Sequence, residues 1–309
     1  MPAAATLNST NVRNSVSYAF QRLHLSVASV LAPERAIESA ARLFATPPRF
    51  AHTAREQELL ATGHRFEVDA PDGRLAAWRF GNAARPAVVV SHGWGGRGAQ
   101  FRAFVPALLE AGYQVVVFDH IGHGLSEGTE SSLVHFMRDI GAVVARVESQ
   151  AARAVSVIGH SLGAAAAGAW LNNTGREMRA VLIAPPTSMQ RYSGWFARKL
   201  GLPETLRREM QQRFERRLGH RWDEFELPQS VSGVRAKALI VHDAGDREVA
   251  PSSGLALARA WPDARLLRTA GLGHRAILRD AEVVQDVVDF ISEQVVFARP
   301  TIVEPAPIA

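Results

Sequence analysis

Apolar residues recur every three or four positions at Val12, Val16, Phe20, Leu23, Val27 and Val30, a spacing that predicts one helix from Val12 to Leu31. A second helix is expected from Pro33 to Phe44, ended by Pro47-Pro48. Together these make an N-terminal helical arm over residues 1–60, whose apolar stripes are expected to pack on the main body rather than lie on a membrane surface. The period then changes. Phe66 to Ala70, the turn residues Pro71-Asp72-Gly73, and Leu75 to Phe80 read as an opening hairpin. Ala87 to Ser91, Val115 to Asp119, Val155 to Ile158, Val181 to Ala184 and Leu239 to His242 are short, almost continuous β-branched runs separated by longer helix-like stretches, and Arg265 to Arg268 adds one more strand. This alternation predicts an α/β fold: a mostly parallel, doubly wound sheet of eight strands with helices on both faces.

One interval breaks the rhythm. About fifty residues separate the strand near Ala184 from that near Ala238, more than a connection needs, so residues 189–234 read as an insertion within a core of residues 61–188 and 235–297. Inside it Leu206, Met210, Phe214, Leu218 and Trp222 repeat every four residues, with arginines 207, 208, 213, 216, 217 and 221 elsewhere around the helix. Residues 298–309 are Pro-rich and expected to be disordered.

At 309 residues and 47% apolar composition the chain can bury a large core. The absence of cysteine excludes a thiol nucleophile, thiolate metal ligands and disulfides. A net charge of +5 is modest, its cations are almost all arginine, and no run of like charges or aromatic–basic interleaving points to nucleic acid. No apolar run reaches the length of a membrane span and no convincing export signal is present, so a cytoplasmic location without stable membrane insertion is expected. The histidines lack the paired spacing of a zinc site, so no metal is expected.

The chemistry centres on Gly159-His160-Ser161-Leu162-Gly163. Glycines two residues either side of a serine permit the sharp strand-to-helix turn that holds a hydroxyl outward, and here a strand runs into the motif and an alanine-rich helix follows it. A serine needs a base, and the base an orienting acid. Both occur later in order: Asp243 and Asp246 beyond the strand ending near His242, and His274 in a glycine-flanked loop beyond the last strand. The rival pattern Gly93-x-Gly95-x-x-Gly98, with Asp119 about twenty residues on, has the spacing of a dinucleotide-binding fingerprint but leaves Ser161, Asp246 and His274 unexplained. A catalytically silent binding protein on the same scaffold is disfavoured because all three positions carry competent residues.

From about Phe66 to Val296 the chain resembles the α/β-hydrolase superfamily, serine-hydrolase branch, which includes esterases, lipases and serine aminopeptidase-like proteins. Asp243-Ala-Gly-Asp246-Arg-Glu-Val249-Ala-Pro251 is similar to the family's acid loop and implies Asp246 as the acid, with Asp243 as a loop hydrogen-bonding residue. The resemblance implies His274 as base and Ser161 as nucleophile. His92-Gly93-Trp94-Gly95-Gly96 resembles the family's oxyanion loop and implies the backbone N–H of Trp94 as one donor, with that of Leu162 as the other. Asp119 to Ser126 resembles a family loop whose role is largely structural. The insertion implies a small helical lid, its apolar stripe facing either the cleft or the body. Trp94, His160 and Trp195 are candidates for substrate contact, as is Trp222 for a pocket wall. The implied activity is cleavage of a carboxylic ester in a small acyl substrate, without a cofactor; thioesterase, amidase and acyltransferase chemistry run on the same constellation.

Overall fold

The computed structural model describes residues 22, 23, 25–150 and 152–293. The expected turns of helix from Val12 to Phe20 and the expected disordered tail lie outside them. The chain divides into two compact units, one taking in the described residues up to Ala45 together with Ser188–Asp223, the other Thr46–Thr187 and the described residues from Glu224 on.

The smaller unit is helical: residues 25–31, Pro33–Ala45, Met189–Leu200 and Glu204–Leu218. Arm and insertion, expected as separate pieces, share one core here. Phe44, at the end of the arm helix, stacks on Trp222 with ring centres 5.6 Å apart and meets Phe196 edge-on at 5.0 Å and Phe214 at 5.6 Å. The four-residue stripe Met210, Phe214, Leu218 and Trp222 is buried. An amphipathic helix must cover its apolar stripe, and a partner from a distant part of the chain serves as well as a neighbour. Trp195 lies in this unit, half exposed and stacked on Tyr192. Glu34 of the arm pairs with Arg213 of the insertion.

The larger unit holds an eight-stranded sheet in the order β1-β2-β4-β3-β5-β6-β7-β8. The strands are β1 (His64–Ala70), β2 (Gly73–Phe80), β3 (Ala87–Ser91), β4 (Gln114–Phe118), β5 (Ala154–His160), β6 (Arg179–Ile183), β7 (Lys237–Asp243) and β8 (Ala264–Thr269). β1 and β2 form the antiparallel hairpin, β2 pairs antiparallel with β4, and every later neighbour is parallel. All five positions of β3 and of β4 are buried, which is why those segments read as unbroken valine runs instead of alternating.

The helix Ala54–Thr62, counted with the arm on sequence, belongs to this unit. Thr53 and Glu56 close a capping box at its start. The same Glu56 carboxylate takes two hydrogen bonds from Arg97 Nη2, at 2.9 and 2.8 Å, both side chains being buried. That pair pins the helix to the loop after β3, so the first unit ends at Ala45 and not at residue 60. Among the described residues no helix is long and apolar enough to cross a membrane.

Candidate active site

The strand order reverses at β3, with β4 on one side and β5 on the other, and ligands of open parallel sheets bind beyond the strand ends at such a point. Ser91, the last residue of β3, pairs with Gly159 in β5, so the loop after β3 and the turn after β5 are neighbours. On the other side Asp243, the last residue of β7, pairs with Thr269 of β8, which brings the loops carrying Asp246 and His274 together.

Ser161 stands between β5 and the helix Leu162–Thr174 at φ 52°, ψ −122°, a conformation that L residues other than glycine rarely adopt. Holding it there costs on the order of 1–3 kcal/mol and requires the surroundings to over-determine the backbone. They do. Ser161 N–H donates to Ile183 O at 2.8 Å, and Ser161 O accepts from Ala164 and Ala165 N–H. The two motif glycines allow the close packing: a Cβ on Gly159 would sit 2.6 Å from the Ala164 Cα, and one on Gly163 would sit 2.3 Å from His92 O. Leu162 is the first helical residue, so its amide has no intrahelical acceptor.

The loop after β3 is braced from below. His92 is fully buried; its Nδ1–H donates to Gly93 O at 2.7 Å, and its Nε2 accepts from His120 N–H at 3.0 Å. Gly96 N–H donates to the same carbonyl. Gly93 O and Trp94 N–H share one planar peptide, so fixing the carbonyl on one side aims the amide to the other. Among the described residues the Trp94 amide has no acceptor of its own. Its indole meets His123 edge-on, ring centres 5.4 Å apart.

His274 Nδ1 lies 2.7 Å from Asp246 Oδ2, and both side chains are more than nine-tenths buried. Asp246 Oδ1 accepts from Glu248 and Val249 N–H at 2.8 and 2.9 Å. Burial alone would raise this carboxyl, but the hydrogen bonds from His242, His274 and Val249 outweigh it and hold the group well below the usual carboxylate range. Asp243 does not touch the histidine. It accepts from Gly245 N–H, Thr269 Oγ1 and Leu272 N–H, tying the two loops together, and despite burial those donors also hold it below its ordinary value. His160 is buried, and because a carbonyl can only accept, its Nε2–H donates to His274 O at 2.8 Å. Burial, with the charge of His274, depresses it to about 3, so the ring stays neutral and clamps the His274 main chain.

The glycines of the dinucleotide-like pattern have other work. Gly98 lies against Phe118 and donates its N–H to Asp119 Oδ1, while Asp119 Oδ2 accepts from Leu125 N–H. The acid that would meet a ribose is thus engaged with its own loops. His123 is buried, hydrogen-bonded to Ile121 O, and lowered to about 4 by burial. Two features escaped the sequence reading. His242 Nε2 lies 3.4 Å from Asp246 Oδ2, and the available signal was a histidine following the apolar run Ala238–Val241. Ser91 Oγ, His120 and Asp139 form a fully buried chain at 2.8 and 3.0 Å, which no spacing in the sequence announces.

A family model described as serine aminopeptidase, S33 (Hydrolase_4) matches residues 82–232, taking in Ser161 and stopping short of Asp246 and His274. A non-heme haloperoxidase of Rhodococcus erythropolis is 31% identical over 129 residues, 40% of this chain and 46% of its own. A pyrethroid hydrolase of Sphingobium wenxiniae is 37% identical over 87 residues, 27% of this chain and 29% of its own. The chain therefore spans less than half the length of each of these curated relatives. Among solved structures, an esterase of Pyrococcus furiosus superposes with TM-score 0.62 at 21% identity, over 79% of this chain and 98% of that one.

Proposed function

We propose that the chain is a serine hydrolase of the α/β-hydrolase superfamily, which its partial family match and its fold support, and that it cleaves a carboxylic ester through an acyl-enzyme intermediate. The observation that carries this reading is a serine held at φ 52° on the end of β5 while, beyond β7 and β8, a histidine and a carboxylate meet at 2.7 Å. His274 Nδ1–H bonded to Asp246 leaves Nε2 as the base. Ser161 Oγ attacks the carbonyl and its proton passes to His274. The tetrahedral oxyanion is met by the Trp94 and Leu162 amides, one in the braced loop after β3 and one at the helix start, so that little reorganisation is needed as charge develops. His274 then protonates the leaving alcohol, and a water activated by the same ring releases the acid. No cofactor takes part in these steps. The mechanism is the same for a thioester, an amide or transfer to another acceptor, so a substrate series distinguishes these once acylation is established.

The test is incubation of the wild type and Ser161→Ala with a fluorophosphonate probe and a short p-nitrophenyl ester. Labelling and turnover are expected in the wild type and absent from the folded variant. Equal turnover by the two proteins would overturn the assignment.

A further inference from the structure

His242 is the penultimate residue of β7 and is buried. Its Nε2 lies 3.1 Å from Val249 O and 3.4 Å from Asp246 Oδ2. A carbonyl only accepts, so Nε2 must carry a proton. The other ring nitrogen is sealed. Nδ1 has no partner among the described residues, and it abuts the helix Pro251–Ala260 so closely that a Cβ on Gly254 would come within 2.5 Å of it. Moving the proton to Nδ1 would bury an unsatisfied donor and leave two acceptors facing a bare nitrogen, which costs more than a hydrogen bond is worth. The fold therefore leaves this ring one tautomer, with a permanent N–H given to Val249 O while Nε2 stands 3.4 Å from the acid.

We infer that His242 is a positioning residue for the Asp246–His274 pair: its Nε2–H, bonded to Val249 O, lies 3.4 Å from Asp246 Oδ2 and so limits how strongly that carboxylate stabilises a protonated His274. The inference rests on the roles proposed above for Asp246 and His274. Oδ2 is shared by His274 at 2.7 Å and His242 at 3.4 Å, while Oδ1 serves the Glu248 and Val249 amides. Each donor to the ionised form makes the carboxylate less basic. A less basic partner holds an imidazolium less tightly, so removing the His242 N–H would strengthen that hold. The other groups facing the pair are His160, with its ring centre 4.7 Å from that of His274, the Glu248–Arg275 ion pair, and the loop anchor Asp243. None of these donates to Asp246.

The test compares His242→Phe, which removes the donor, with His242→Gln, whose amide N–H takes the place of Nε2. In the Phe variant the acid limb of kcat/KM for the p-nitrophenyl ester is expected to move to higher pH by about half to one unit, with KM within about twofold. The Gln variant is expected to follow the wild type. A structural role alone would lower activity at every pH without moving the limb. No displacement in the folded Phe variant, or the same displacement in both variants, overturns the inference. A second measurement needs no variant: nitrogen spectra of histidine-labelled wild type must show His242 protonated at Nε2 and bare at Nδ1, and a proton on Nδ1 also overturns it. If the wild type shows no Ser161-dependent turnover, the proposed function fails, while the spectra and the ring titration of His274 in His242→Phe still decide the part played by His242.

Discussion

At the scale of single residues, two aspartates three positions apart do different work because their oxygens meet different donors. Asp246 faces the His274 ring, and Asp243 faces only its own loops. Asp246→Asn keeps the shape but presents an amide that favours the wrong imidazole tautomer, so kcat is expected to fall by about 10³–10⁴ with the melting temperature nearly retained. Asp243→Asn turns its NH2 either toward Thr269 Oγ1 and Leu272 N–H or toward Gly245 N–H, so at least one donor loses its acceptor. It is expected to cost about 1–3 kcal/mol of stability and to reduce kcat by less than tenfold. Measuring kcat beside thermal melts for both variants checks the division, and a larger kcat loss in Asp243→Asn would reverse it. Sequence alone ranked the two by likeness to a loop pattern; the hydrogen bonds supply the physical reason.

At the scale of elements, the turn after β5 depends on three segments meeting at van der Waals limits. Gly163, second residue of the helix, packs against the end of β3, where a Cβ would lie 2.3 Å from His92 O and 2.5 Å from Ser91 O. Both obstacles are backbone, so neither can swing away. Gly163→Ala must push the helix from β3, widening the gap between Leu162 and the Trp94 loop. The expected outcome is a loss of about 1–3 kcal/mol, typical of an overpacked interior, together with a fall in kcat of about 10²–10³ as one of the proposed oxyanion donors moves out of range. Denaturant melts and ester kinetics on the variant check this; unchanged kinetics would mean that the helix start does not contribute to the site. The motif was legible in the sequence for the same reason that the substitution is harmful: glycines at that spacing report close packing.

At the scale of the molecule, a polar seam runs through the core behind the site. Ser91, His120 and Asp139 are fully buried and linked, with the His120 ring stacked on Phe136 at 3.6 Å. Burial raises the Asp139 carboxyl to about 8, aided by the charge of Asp72 and partly offset by the Ile121 N–H, and burial lowers His120 well below its ordinary range. At neutral pH the chain is therefore uncharged, Asp139 donating to His120 Nδ1 and His120 Nε2–H to Ser91. A carboxyl raised on folding stabilises the native state at and below its ordinary range, and that contribution is lost as pH rises toward 8. Asp139→Asn carries no such titration. Its melting temperature is expected to exceed that of the wild type at pH 8.5 and to approach it near pH 5. Parallel profiles across that range would show that Asp139 is already ionised in the folded protein.

The chain's own pattern determined the class of fold, the eight strands and the order of serine, acid and histidine, because parallel strands buried on both faces must be continuously apolar and a sharp turn must carry glycine. Those are local requirements, written wherever the element is. Only the tertiary structure decided what depends on contacts between distant residues: that Phe44 of the arm shares a core with Phe214 and Trp222 of the insertion, that Glu56 belongs with Arg97, that His160 holds the His274 carbonyl, and that His242 shares the carboxylate of Asp246. Spacing along the chain reports which face of an element a residue occupies, whereas a hydrogen bond a few ångströms long is set by how the loops at the ends of neighbouring strands fold over one another.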